Sequence, residues 1–308
     1  MNYRIANRIF LYTILSTFAL VFLYAIWVAS SGGDMSIILN NVLSELVVLI
    51  PAVAVVLFHG EKLGTVIPLR FIKFPSFLLT ILYMVLLYPL VTFVNALSML
   101  FVDNTVMEVS DQILGLPLWQ VLLSVGLFGP FVEEIVFRGI LLQSYQRTGR
   151  IIGSILLSSV FFGLMHLNFN QFAYAAVMGI MFALLVEATG SVLTSFVAHS
   201  LFNSIEVMLL YLSSDALDEA ESYLDKLDLG NELLISIGIF FILAIIGTSL
   251  AVCVAYKISD IEGRKLFFSS IPKCKKQGYK LITVPAVVSV VLSAAYMIVM
   301  DFLLDAFL

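Results

Sequence analysis

The segment Gly129–Gly139 reads GPFVEEIVFRG and sets Glu133, Glu134 and Arg138 inside an apolar run from about Leu116 to Leu142. Ionisable groups in such a run cost about 3 kcal/mol or more each and are read as functional by default. On a helix, Glu134 and Arg138 are i and i+4, which stacks them on one face as an ion pair. Glu133 is turned about 100° from Glu134, because the helix has 3.6 residues per turn. One carboxylate is thus neutralised within its own helix and the other must find partners elsewhere. Pro130 cannot continue a regular hydrogen-bond ladder. It either kinks the helix or opens a new half-helix, whose N-terminal dipole would favour a carboxylate at Glu133.

Other polar groups interrupt other apolar runs. His166 ends one, in FFGLMH, and His199 lies in another, in SFVAHSLFNS, with Asn203 one turn later on the same face. Glu206 shares that face as well, as a supporting partner or as a mark of the outer interface. Ser200 adjoins His199 but points about 100° away, so no Ser–His nucleophile is indicated. His59, beside Glu61 and Lys62, reads as an interfacial residue. Glu45 and Asn95 also break apolar runs. They have no patterned partner, and they read as packing or lining residues.

A free carboxylate beside a neutral imidazole can take a proton from water and make it a nucleophile. A second imidazole and an amide N–H donor can stabilise the oxyanion formed when that water attacks a carbonyl. The set therefore suits hydrolysis of an amide in a water-filled cavity, with no cofactor. Two His and two Glu could instead hold zinc. The HExxH spacing is absent, however, and the four groups come from separate segments.

These groups must be carried by membrane helices. The chain has 308 residues, is 61% hydrophobic and 12% charged, and its mean hydropathy is +1.07. A soluble domain is nearer 45–50% apolar and about 25% charged. The expectation is an all-α, polytopic transmembrane bundle. Its nine apolar spans lie roughly at 9–30, 37–58, 76–101, 117–146, 151–168, 171–187, 191–212, 232–256 and 282–304. The fifth and sixth are short and separated only by Asn168–Gln171, so eight crossings are the alternative. The first span is too long for a signal-peptide core and reads as retained. No basic stretch with interleaved aromatics suggests nucleic acid. Cys253 and Cys274 lack a CxxC spacing and indicate neither a disulfide framework nor a structural metal.

Fourteen of the sixteen Lys and Arg fall on one side if nine spans alternate; Arg138 is intramembrane, and Lys226 lies opposite, in the acidic segment Asp215–Asp228. The positive-inside rule makes the N-terminus cytoplasmic and the C-terminus external in a multi-pass cell-membrane protein. At 1.5 Å per residue, Glu133 lies roughly 20 Å from the cytoplasmic end of its helix, His166 roughly 22–24 Å, and His199 to Asn203 roughly 12–18 Å. These depths let the groups converge if spans four, five and seven pack together.

Glu133-Glu134-x-x-x-Arg138, Phe162-x-x-x-His166 and His199-x-x-x-Asn203 resemble the three ordered motifs of the CPBP (Abi-like) family. That family comprises type II CAAX prenyl endopeptidases and bacterial relatives tied to bacteriocin self-immunity and pheromone maturation. The resemblance covers roughly residues 115–212. It divides the chain into N-terminal helices (1–114), a catalytic core (115–212), and an acidic outer loop with C-terminal helices (213–308). It implies an intramembrane glutamic protease acting on a membrane-associated peptide or protein. In it Glu133 activates water with help from His166, His199 and Asn203 form the oxyanion site, and Glu134 and Arg138 support the first motif. The readings from other classes are a catalytically silent scaffold that regulates a partner and a proton-coupled transporter. Neither the substrate nor an oligomeric state follows from the sequence.

Overall fold

The computed structural model describes residues 1–33, 35–102, 109–224, 229–273 and 280–307, with the backbone alone for 214–224, 229–233, 273 and 303–307. The acidic segment Asp215–Asp228, with Lys226, and the loop residue Cys274 therefore lie outside the described side chains. Among the described residues the chain is helical throughout and has no strand.

Nine principal helices follow the nine apolar runs. They are α1 (Tyr3–Ser31), α2 (Ile37–Phe58), α3 (Phe74–Ser98), α4 (Leu118–Gln146), α5 (Ile151–Met165), α6 (Phe169–Thr189), α7 (Val192–Leu224), α8 (Leu229–Ile261) and α9 (Val284–Phe307). Eight are long and apolar enough to cross a membrane, and α5 is the exception. Its 15 residues reach only about 22 Å at 1.5 Å each, against a hydrocarbon core of about 30 Å. Polar residues set several ends. Asn2 caps α1 by accepting from the N–H groups of Arg4 and Ile5, so Arg4 and Arg8 lie within the first helix rather than before it. Asn168 caps α6 through Gln171 N–H at 2.7 Å. Gly190 closes α6 in the left-handed region at φ 70°, which glycine adopts without steric cost.

The fourth helix is unbroken through Pro130, but it is not uniformly α-helical. Leu122–Phe128 and Ile135–Leu142 are π-helical, flanking the α-helical turns Gly129–Glu134. Proline removes one backbone donor, and the wider π turns on either side keep the helix continuous. There is accordingly no half-helix N-terminus beneath Glu133, and the dipole expectation does not apply.

In lipid, helices associate by close packing rather than by the hydrophobic effect, so small residues mark the tightest contacts. A Cβ on Gly247 of α8 would collide with the Leu86 carbonyl oxygen of α3. A Cβ on Gly179 of α6 would stand 2.9 Å from Ser159 Cα of α5, which makes α5 and α6 a tight hairpin. The core helix α4 is flanked by α1 and α2 on one side, where Phe10 of α1 meets Phe137 of α4 edge-on at 6.4 Å and stacks on Phe161 of α5 at 3.9 Å. The α6–α7 pair packs against α3 and α8.

Side-chain contacts tie several loops to one face of the bundle. Arg147 pairs with Glu61 at 3.3 Å. Asn7 donates to Leu281 O and Thr283 Oγ1, both at 2.8 Å, and accepts from Tyr145 at 2.6 Å. Ser191 Oγ donates to Arg70 O at 2.5 Å, and Ser76 Oγ donates to Glu262 at 2.5 Å. Arg264 donates to Glu187 O at 3.0 Å and stacks over Phe267 at 4.7 Å. Partial burial between Gly190 and Glu187 holds the Arg264 guanidinium below its ordinary pKa. The loops after spans two, four, six and eight, and the start of α1, therefore share one face.

Candidate active site

Glu133, Glu134 and Arg138 are 6%, 0% and 1% exposed. Arg138 Nη1 lies 3.0 Å from Glu134 Oε1, the i,i+4 pair that the spacing predicts. The guanidinium carbon also lies 4.1 Å over the Phe162 ring of α5 and 5.3 Å from the Phe182 ring of α6. A cation buried inside the helix bundle is thus met by one carboxylate and two π faces, the electrostatically negative parts of those rings.

His199 of α7 stands between the two carboxylates. Its Nδ1 is 3.0 Å from Glu134 Oε1 and its Nε2 is 3.4 Å from Glu133 Oε2. Phe182 stacks on the ring at 4.9 Å, and Phe162 meets it edge-on at 5.6 Å. The ring plane is therefore fixed by packing, and its nitrogens are aimed by that plane. With Nδ1–H donated to Glu134, a neutral ring turns its Nε2 lone pair toward Glu133. An imidazolium would donate to both.

Asn203, one turn beyond His199, donates Nδ2–H to Val125 O at 3.0 Å. The acceptor lies in the first π-helical segment of α4. An amide nitrogen carries two hydrogens, and this bond uses one.

His166 caps the C-terminal end of α5, half-buried, with its ring 5.3 Å from Phe162. The next residue, Leu167, is the one non-glycine among the described residues with positive φ, at 56°. A bulky side chain there costs roughly 1–2 kcal/mol. The turn that bears His166 is therefore held by its surroundings: Asn168 Nδ2 donates to His166 O at 3.3 Å while its Oδ1 caps α6. His166 makes no hydrogen bond to Glu133 among the described residues, although the Glu133 charge acts on it. The imidazole nearest Glu133 is that of His199, which the resemblance assigns to the oxyanion.

The six singled-out residues thus gather where α4, α5 and α7 meet. The other polar residues divide. Glu206 accepts from Tyr88 O–H at 2.6 Å, away from His199. Asn95 accepts from Asn170 at 2.8 Å. His59 is exposed, with Nδ1 2.8 Å from Val55 O. Ser200 Oγ has no hydrogen-bond partner among the described residues. Glu45 is a packing residue, as read, but not without a partner. It is buried against Gly129, one turn before Glu133, and Glu133 is the charge that acts on it. Its sequence signal was only a lone carboxylate in an apolar span. Among the described residues, no three His, Cys, Asp or Glu side chains are grouped as a metal site.

Comparison with known proteins adds a family. Residues 115–205 match the family described as type II CAAX prenyl endopeptidase Rce1-like. The "Putative membrane peptidase YdiL" of Bacillus subtilis (strain 168) is 30% identical over 139 residues, 45% of this chain and 52% of that protein. The match therefore spans about half the length of that curated relative. No solved structure matches.

Proposed function

We propose, from the match of residues 115–205 to the Rce1-like family, that the protein is a membrane-embedded endopeptidase that hydrolyses a peptide bond with water activated by Glu133. The observation that carries this reading is the unequal treatment of two adjacent buried carboxylates. Glu134 is held by Arg138, whereas Glu133 meets, among the described residues, an imidazole edge at 3.4 Å and no guanidinium. A carboxylate without a permanent cation paired to it is the one available to take a proton.

In this reading Glu133 accepts a proton from water, and the water oxygen attacks the substrate carbonyl. His166 assists from the tip of the α5–α6 hairpin. His199, donating from Nε2 in its imidazolium form while Nδ1–H stays on Glu134, and Asn203, with its second amide hydrogen, stabilise the oxyanion. Glu134 and Arg138 fix His199 through Nδ1. Collapse of the tetrahedral intermediate returns the proton from Glu133 to the departing amine. The substrate is a membrane-associated peptide or protein, with a prenylated C-terminus, a leader peptide and a pheromone precursor all of a suitable class. The loop face rich in Lys and Arg is cytoplasmic, as the positive-inside rule requires.

The test compares the membrane peptidomes of cells carrying the wild type and Glu133→Gln. Peptides present with the wild type and absent with the variant are products, and they name the substrate. Identical peptidomes, with equal amounts of folded protein, would refute the protease and favour a scaffold.

A further inference from the structure

Glu45 is the carboxyl group that neither the ion pair nor His199 accounts for. It lies in α2, buried, and its Oε2 has no hydrogen-bond partner among the described residues. Gly129 makes room for it: a Cβ on Gly129 would stand 3.2 Å from Glu45 Oε1 and 3.7 Å from its carboxyl carbon. Gly129 and Glu133 are i and i+4, on one face of α4, with Cβ positions about 5–6 Å apart. Helical side chains lean toward the N-terminus of their helix, so Glu133 leans toward the level at which Glu45 stands. Charged groups on the helices packed against α2 are Arg4 and Arg8 of α1 and Glu133, Glu134 and Arg138 of α4. Of these, Glu133 is the one whose charge acts on Glu45.

A buried acceptor without a donor is costly, and such groups are as a rule satisfied by protein or by water. Glu45 Oε2 has no protein donor among the described residues. We propose that Glu45 is a second carboxyl group of the active site and accepts a hydrogen bond from the water that Glu133 deprotonates. This rests on the reading of Glu133 as the base. Water has two hydrogens. One passes to the Glu133 carboxylate as its O–H bond breaks. The other stays on the oxygen, donated to Glu45, while the released electron pair forms the C–O bond and the carbonyl π pair moves to its oxygen. Two acceptors on one side of the water aim its remaining lone pair at the carbonyl. Glu45 neither gains nor loses a proton in the step.

The role needs an acceptor oxygen, not a charge, and two variants separate it from packing. Glu45→Leu removes the acceptor and leaves an apolar side chain of similar bulk, which a lipid-embedded helix tolerates. Glu45→Gln keeps one acceptor oxygen. The measurement is the product peptides lost in Glu133→Gln, quantified per unit of folded, detergent-soluble protein. Glu45→Leu is expected to lower them at least about tenfold, within the roughly hundredfold that a misplaced reactant costs, and Glu45→Gln to retain clearly more than Glu45→Leu. Product levels in Glu45→Leu equal to wild type per folded molecule would overturn the proposal. So would losses in both variants that merely track the amount of folded protein. If Glu133→Gln itself leaves the peptidome unchanged, the assignment of the base fails and this inference with it, an outcome distinct from a silent Glu45 beside an essential Glu133.

Discussion

The guanidinium carbon of Arg138 lies 4.1 Å over the ring of Phe162. Phe162 also meets His166 and His199 edge-on, so one ring borders the ion pair and both imidazoles. Phe162→Leu removes the π face and about 0.5–2 kcal/mol of cation–π attraction. It is expected to lower the melting temperature of the detergent-solubilised protein and to reduce cleavage further than the loss of folded protein explains. Equal reductions in both would make the ring a packing element only.

The two adjacent glutamates are expected to separate cleanly. Removing one member of a buried ion pair strands the other and costs about 3–5 kcal/mol. Glu134→Ala and Arg138→Ala should each lower folded yield. A paired Glu134→Gln/Arg138→Met variant should fall short of the sum, a coupling that a double-mutant cycle reads directly. Glu133→Gln is nearly isosteric and should melt close to wild type while cleavage vanishes. If Glu133→Gln is the unstable one and Glu134→Ala folds normally but is inactive, the two roles are reversed.

Orientation can be checked with single cysteines in a background lacking Cys253 and Cys274. A cysteine at Lys265, on the basic face, should be protected from an impermeant thiol reagent added to intact cells. One at Gly33, in the opposite loop between α1 and α2, should react. The reverse labelling would invert the whole topology.

Metal dependence has an equally direct readout. Cleavage by the purified protein is expected to survive prolonged treatment with strong chelators. Loss on chelation with recovery on added zinc would turn Glu133, His166 and His199 into ligands.

The ion pair was legible in the sequence because i,i+4 spacing is a property of one helix, and it appears in the structure at 3.0 Å. What escaped were contacts that depend on how helices are rotated against one another. Glu45 meeting Gly129, and His199 lying between both carboxylates, join segments more than sixty residues apart. A soluble helix announces its inward face by its apolar stripe. In helices such as α2 and α5 large apolar residues face both lipid and neighbouring helices, so hydrophobic periodicity alone does not state which face turns inward. The shortness of α5 was visible as a short run, but the turn at His166–Asn168 depends on a left-handed Leu167 that no residue preference signals.

The shape of that turn bears on how the chain enters the bilayer. Three residues, His166, Leu167 and Asn168, reverse α5 into α6, and no Lys, Arg, Asp or Glu lies among them or in the adjoining turns from Gly163 to Phe172. The hairpin can therefore be threaded from the basic side as one unit, with no fixed charge to be carried through lipid. Its polar cargo is amide and imidazole. Asn170, just behind the tip, donates to Asn95 and Ser98 of α3 at 2.8 and 2.9 Å. That helix is synthesised earlier, so a receptor for the arriving amide is already in the membrane when the hairpin emerges from the ribosome.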